Sequence, residues 1–130
     1  MEPVAPKTVQ DIMNAKLLYI DAGDRPSLAR RHILAFGVTA VPILDETHRP
    51  VGVVSLRDLQ GEEVVSNPTV STVKNTDSIE DAARFLASTD HHHLVVVDAK
   101  GVAVGMVSAV DFLRGLLGMA PRHPPAFDDR

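Results

Sequence analysis

The chain has 130 residues, of which 45% are hydrophobic, and a formal net charge of −4 at pH 7. This length suffices to bury one core but not to build two large independent domains. The net negative charge provides no broad basic face, which argues against nucleic acid as a partner. With no cysteine in the chain, a disulfide framework, a thiolate metal cluster and a cysteine nucleophile are all excluded.

The first seven residues contain two prolines and are expected to form a flexible leader. They lack the apolar core of a signal peptide, and no apolar run reaches the roughly 18 residues of a spanning helix. We therefore expect a cytoplasmic protein without membrane contact.

The elements of the first half follow from caps, turns and apolar runs. Thr8 with Asp11 three residues later predicts the start of a short helix. Apolar runs bounded by turn residues predict three strands and a second helix that begins at a proline and stops at a glycine. The predicted strands are Leu17–Ile20, Ala40–Leu44 and Val51–Val54, and the helix lies between Pro26 and Gly37.

The second half repeats this order. A strand at Val70–Val73 precedes a helix that opens at Asp77–Glu80 with a capping-box spacing. Ala82, Ala83, Leu86 and Ala87 are expected on its buried side. A second hairpin and a last helix follow, with strands at Leu94–Val97 and Val102–Val107 and helix residues Leu113, Leu116 and Leu117.

A heptad of glycine, two apolar residues, serine, two spacers and aspartate occurs twice. It spans Gly52–Asp58 and recurs 53 positions later (105 − 52) at Gly105–Asp111. Ser-x-x-Asp resembles a capping box, and an acidic residue in the first turn suits the helix dipole. Helix capping alone could therefore account for the serine and the aspartate.

The unbroken register indicates an internal duplication. We assign residues 8–61 to the first repeat, 62–118 to the second, and 119–130 to a disordered tail. With the heptads and the segments DIMN and NTDSIEDAARFLAS, this order resembles the CBS (cystathionine β-synthase) domain, over roughly Thr8 to Leu117. The resemblance implies a mixed α/β fold in which two β-α-β-β-α repeats pack about a pseudo-twofold axis.

CBS pairs bind adenosine nucleotides, or in some members S-adenosylmethionine, in clefts between the repeats and regulate a partner protein. By this resemblance Asp58 and Asp111 are ribose-hydroxyl ligands, and Ser55 and Ser108 face the phosphate. Thr72 matches a threonine often used in such clefts, and the adenine contacts map near Val41, Ile43 and Val95. A carboxylate that accepts from two hydroxyls and a helix N-terminus that faces phosphate are consistent with these roles.

Three adjacent histidines, His91, His92 and His93, precede the central strand of the second repeat. By the resemblance, these histidines favour an anion at the second cleft. The first repeat has an apolar stretch beginning at Val38 at the same register, and Tyr19 stands where the second repeat has Thr72. Both differences predict a weaker site in the first repeat. From the residues alone, a solvated loop is the default interpretation of the triplet, ahead of a phosphate contact and, more remotely, part of a metal site. We expect no metal site.

No nucleophile elbow or phosphate-binding Gly-rich loop with lysine supports catalysis. The expected function is therefore a non-enzymatic sensor of AMP, ADP or ATP, less readily of S-adenosylmethionine, that requires no cofactor and regulates a protein not identifiable from the sequence. The alternative is an interaction module whose clefts bind no ligand. We expect a homodimer formed through helical faces that include Leu56, Leu59, Phe112, Leu113 and Leu116.

Overall fold

The structure, a computed structural model, describes residues 6–25, 27–36, 38, 40–55 and 70–122. Within them the helices are α1 (Val9–Ile12), α2 (Ser27–Phe36), α3 (Ile79–Ala87) and α4 (Ala109–Leu116). The strands are β1 (Ile20–Asp21), β2 (Ala40–Leu44), β3 (Pro50–Ser55), β4 (Thr72–Lys74), β5 (His93–Val97) and β6 (Ala103–Ser108). Two three-stranded sheets result, ordered β1-β2-β3 and β4-β5-β6, so the expected mixed α/β class is confirmed.

The duplication is visible in the strand bounds. Residues 93–97 of β5 and 103–108 of β6 lie 53 positions after residues 40–44 of β2 and 50–55 of β3. In each sheet the first strand pairs in parallel with the second, β1 with β2 and β4 with β5. The second and third strands have equal lengths in the two sheets, and this agreement is the structural counterpart of the repeated heptad.

The contacts divide the chain into two compact units. One, the α4 unit, comprises residues 1–17, 72–100 and 104–130, and the other, the α2 unit, comprises residues 18–71 and 101–103. Within the α2 unit, β2 also pairs antiparallel with β3, and the register shifts between Ile43 and Leu44. Its core is aliphatic and consists of Ile20, Ala29, Ile33, Val41, Ile43 and Val54.

The core of the α4 unit joins α1, α3 and α4 to one face of its sheet. Leu94 and Val96 of β5 belong to this core, whereas the alternate residues His93 and Val95 do not. Because successive strand residues point to opposite faces, His93 and Val95 share the face turned away from this core. The other core residues are Val9, Ile12, Met13, Val73, Ile79, Ala82, Leu86, Val107 and Phe112.

Helix α1 packs in the α4 unit, although the repeat register predicts it in the first repeat. The Val9 N–H donates to the Asp77 carbonyl and the Gln10 N–H to the Asn75 carbonyl, both at 3.0 Å. The Asn75 side-chain amide donates to Gln10 Oε1 at 3.0 Å. Helix α1 is therefore hydrogen-bonded to the loop before α3.

The cap of α1 is the predicted one, whereas that of α3 lies one residue after the predicted Asp77–Glu80 spacing, because the Asp77 carboxylate accepts from the Lys74 N–H at 2.9 Å instead. The Thr8 N–H donates to the Asp11 carboxylate at 3.0 Å, and Ser78 is the N-cap of α3, where its Oγ accepts from the Asp81 N–H at 3.0 Å. Burial of the Asp11 carboxylate would raise its pKa, but the N–H groups of Lys7 and Thr8 outweigh this and lower it. The Asp11 carboxylate thus stabilises the first turn of α1, and the Ser78 hydroxyl stabilises that of α3.

Two expectations about burial were wrong. Ala87 is exposed, because the buried stripe of α3 runs through Ile79, Ala82 and Leu86. Phe112, expected on a dimer face, is 3% exposed and belongs to the core, while its neighbour Leu113 is 60% exposed. Phe112 therefore cannot contribute to an interface. Among the described residues, no helix has the length and apolar character needed to cross a bilayer.

Candidate functional site

The second heptad forms the junction between β6 and α4. Ser108 ends the strand in extended conformation and caps the helix: its Oγ accepts from the Asp111 N–H at 3.2 Å. In return the Asp111 Oδ2 accepts from the Ser108 N–H at 2.9 Å. The capping interpretation of this heptad is correct, and it fixes the Asp111 carboxylate at the positive end of α4.

Asp111 is 4% exposed and is the one buried charged residue in the part of the chain that the structure describes. Its other oxygen, Oδ1, accepts from Nη2 of Arg122 at 2.9 Å and from Nε at 3.2 Å. Nη2 also lies 3.2 Å from Ser108 Oγ. Arg122, which lies beyond the end of α4, therefore donates hydrogen bonds to both Ser108 and Asp111 of the heptad.

Thr72 and Val95 lie side by side on the sheet of the same unit. They are Cα partners in the parallel pair of β4 and β5, with Thr72 exposed and Val95 buried. Val95 shares its strand face with His93, two residues before it. The sheet thus places a hydroxyl, an apolar side chain and an imidazole on one face.

The histidine triplet leads from the loop into β5 and touches the start of α4. The His92 carbonyl accepts from the Ala109 N–H at 3.0 Å, which ties the triplet to the first turn of that helix. Burial lowers the pKa of His93, the neighbouring His92 lowers it further, and the Asp111 carboxylate opposes both effects. His93 is therefore close enough to Asp111 to interact with its charge.

The remaining residues predicted for the first repeat lie in the α2 unit. Val41 and Ile43 are buried within the core of that unit, and Ser55 ends β3 opposite Ala40. Tyr19, at the register of Thr72, packs its ring against His48 with centroids 5.3 Å apart. Asp58 lies outside the described residues.

The α4 unit thus brings together six of the predicted residues. They are Thr72, His92, His93, Val95, Ser108 and Asp111. Over the described ranges, no group of three or more histidine, cysteine or acidic side chains is arranged to hold a metal ion. Chemically, the site offers a carboxylate acceptor, a helix N-terminus with a serine hydroxyl, and imidazoles, which suits hydroxyl and anionic groups of a ligand.

Sequence reasoning missed Arg122. It lies in the tail assigned to disorder, and a single arginine among prolines carries no motif. The only available signal was its position 11 residues after an aspartate expected to be functional, which is too weak to select it.

Comparison with known proteins agrees with the architecture. The CBS domain family matches twice, over residues 9–64 and 61–118. The magnesium transporter MgtE of Thermus thermophilus is 38% identical over 77 residues, a match that covers 55% of this chain and 17% of the transporter. The chain is thus similar to a small part of that relative.

Solved structures show the same fold. CBSX2 in complex with AMP, a CBS-pair protein from Arabidopsis thaliana, is 29% identical with a TM-score of 0.73, covering 85% of this chain and 96% of that one. The cytosolic domain of the Mg²⁺ channel MgtE in complex with ATP is 27% identical with a TM-score of 0.67, covering 78% of this chain and 46% of that one. The two matched segments, the duplicated strand pattern and these likenesses establish that the chain belongs to the CBS domain family and carries two CBS repeats.

Proposed function

We propose that this chain is a regulatory sensor that binds an adenosine nucleotide (AMP, ADP or ATP) at the Asp111 site. The observation that carries the proposal is the placement of Asp111, a buried carboxylate at the start of α4 that interacts with His93 on the adjoining sheet. Support also comes from the relatives that hold AMP and ATP. S-adenosylmethionine is the less favoured ligand.

Each group of the site has a role in this proposal. The Asp111 carboxylate accepts hydrogen bonds from the ribose hydroxyls, while Ser108 and the N-terminus of α4 face the phosphate. The imidazole N–H groups of His92 and His93 are donors for the phosphate. Thr72 and Val95 line the adenosine. A ligand held this way favours one conformation of the pair, which is how a sensor acts on a partner protein.

The first-repeat residues Val41, Ile43, Ser55 and Asp58 form the weaker site in this proposal. Val41 and Ile43 are buried at 0% and 8% exposure, but Val95 of the second repeat is equally buried at 1%, so burial does not distinguish the two sites. Tyr19 replaces the small hydroxyl side chain of Thr72 with a ring that already contacts His48. We expect nucleotide to bind mainly at the second repeat.

Titration calorimetry and thermal shift with AMP, ADP, ATP and S-adenosylmethionine test this function. A ligand at 100 times its dissociation constant should raise the free energy of unfolding by about 2.7 kcal/mol. Asp111→Ala should weaken binding by at least about tenfold, because it removes a charged hydrogen-bond acceptor. Asp58→Ala should have a smaller effect.

A matched control separates binding from helix capping. Asp11 makes the same bond to its N-cap residue in α1 that Asp111 makes in α4. Asp11→Ala should lower stability and leave nucleotide affinity unchanged. Equal affinity in Asp111→Ala and the parent would reject the site, and no saturable binding of any adenosine compound would reject the function.

The second candidate function is a ligand-free interaction module. It is favoured by apolar side chains that α4 leaves exposed, Val110 at 49%, Leu113 at 60% and Leu116 at 53%. In either case we expect a homodimer through this face. Leu113→Glu or Leu116→Glu should then give monomers by light scattering, and an unchanged mass would remove these residues from the interface.

A further inference from the structure

The residues after α4 return to the start of that helix. Gly118 adopts a left-handed conformation, with φ of +72°, which favours glycine and turns the chain back at the helix end. The Met119 N–H donates to the Arg114 carbonyl at 2.9 Å. This segment, Gly118 to Arg122, is called the strap below.

Arg114 holds the middle of the strap. Its guanidinium donates to the Ala120 carbonyl from Nη2 at 2.7 Å and from Nε at 3.1 Å. A main-chain bond and a two-point side-chain clamp thus precede the contact of Arg122 with Asp111. The position of Arg122 is therefore set by the path of the strap as well as by its own charge.

The Arg122 contact uses the acceptor capacity that a ribose would need. A carboxylate oxygen has two lone-pair sites, and those of Asp111 Oδ1 accept from Nε and Nη2 of Arg122. Oδ2 accepts from the Ser108 N–H. Nη2 of Arg122 also donates to Ser108 Oγ at 3.2 Å. A ligand hydroxyl can reach Oδ1 only if Arg122 leaves.

The contact is suited to reversible release. The Arg122 side chain is 42% exposed, so its guanidinium is readily rehydrated when it leaves Asp111. Asp111, in contrast, is buried and keeps its position through the capping box. The moving part is thus the strap.

We propose that the strap is an intramolecular competitor of the ligand: Arg122 closes the Asp111 site in the free protein, and ligand binding displaces it. This proposal rests on the proposed function, because it takes Asp111 as a ligand-binding residue. Occupancy of the site is then converted into release of the strap, a change that a partner protein can detect. Ligand affinity is reduced by the fraction of molecules in which the strap is closed.

The test is the affinity for AMP, measured by calorimetry on the full chain. Arg122→Ala should bind AMP about three- to tenfold more tightly than the parent, since the ion pair between Arg122 and Asp111 no longer has to be broken. Arg114→Ala, which removes the clamp on Ala120, should act in the same direction with a smaller effect. Arg31→Ala on α2 makes the same change of charge at an exposed position and should leave the affinity unaltered.

A second measurement reports the strap directly. In nuclear magnetic resonance spectra the Arg122 Nε–H should exchange slowly in the free protein and faster when AMP saturates the site. An Nε–H that stays equally or more protected with AMP bound would overturn competition, as would Arg122→Ala binding equally or more weakly than the parent.

The outcomes for the two proposals are distinguishable. Equal, saturable binding by the parent and Arg122→Ala keeps the nucleotide sensor and rejects the strap. Saturable binding by both proteins, tighter in Arg122→Ala than in the parent, supports both proposals. If neither protein binds any adenosine compound, both proposals fail.

Discussion

Asn14 and Met106 exchange main-chain hydrogen bonds in both directions: the Asn14 N–H donates to the Met106 carbonyl at 2.8 Å, and the Met106 N–H to the Asn14 carbonyl at 3.0 Å. This bridge places the chain that follows α1 directly against β6. Gly105 lies beside the bridge, where an added Cβ would come within 2.7 Å of the Asn14 carbonyl oxygen and 2.9 Å of Met13 Sδ. The glycine of the second heptad is therefore needed for close packing, independently of any ligand.

Gly105→Ala should lower the free energy of unfolding by about 1–3 kcal/mol, because backbone and a core methionine must shift to admit the methyl group. Denaturant unfolding measures the loss. Gly23→Ala is the matched control, since a Cβ there meets no atom within 4 Å. Equal stability of Gly105→Ala and the parent would show that the segments carrying Asn14 and Met106 can move apart without loss of stability.

Adjacent residues of α4 should differ sharply in their contribution to stability. Phe112→Ala should cost about 3–5 kcal/mol, as is typical for the loss of a buried aromatic side chain. Leu113→Ala should change the unfolding free energy by no more than about 0.5 kcal/mol, since that side chain is exposed. If Phe112→Ala does not fold, Phe112→Leu provides a milder step in the same direction. Similar costs at both positions would contradict the orientation of α4.

Acidification should lower the free energy of unfolding because His93 is partly buried in the folded chain. Burial and His92 lower the pKa of His93 below its usual 6.5, with Asp111 in opposition, and Asp111 itself is paired with Arg122. The unfolded chain therefore takes up this proton at a higher pH than the folded chain. The stability that neutral His93 contributes to the fold is fully present above pH 6.5 and is lost as the pH falls through the pKa of His93 in the folded chain.

Unfolding measured across this pH range in the parent and in His93→Gln checks the effect. The variant should lose less stability on acidification than the parent. His91→Gln, in the same triplet but before β5, serves as the control. An identical pH dependence in His93→Gln and the parent would exclude His93 as the source.

Local signals in the sequence were sufficient for most of the elements. Thr8 and Ser108 cap helices as their spacing to Asp11 and Asp111 predicts, because a capping box depends only on neighbouring residues. Hairpin strands were predicted to within a residue or two, since apolar runs and polar turns define them and the hairpin pattern occurs twice in the chain. The bounds of β1 were less accurate, as a two-residue strand has little pattern of its own.

Long-range placement was not predictable in the same way. Phe112 and Leu113 are both apolar and adjacent in sequence, and only the packing of α4 against α1 and α3 decides which is buried. Membership of α1 in the α4 unit depends on bonds to Asn75 and Asp77, more than 60 residues away. Arg122 reaches Asp111 because of a turn at Gly118 and a clamp by Arg114, neither of which is a sequence motif.

The central claim is that an adenosine nucleotide binds at the second repeat around Asp111. The most direct test is to follow backbone amide signals by nuclear magnetic resonance while AMP is added to the full chain. We predict saturable shifts concentrated at Thr72, His92, His93, Val95 and from Ser108 to Asp111, with little change at Val41 and Ile43. Saturable shifts confined to the α2 unit, or no shifts at any AMP concentration, would contradict the claim.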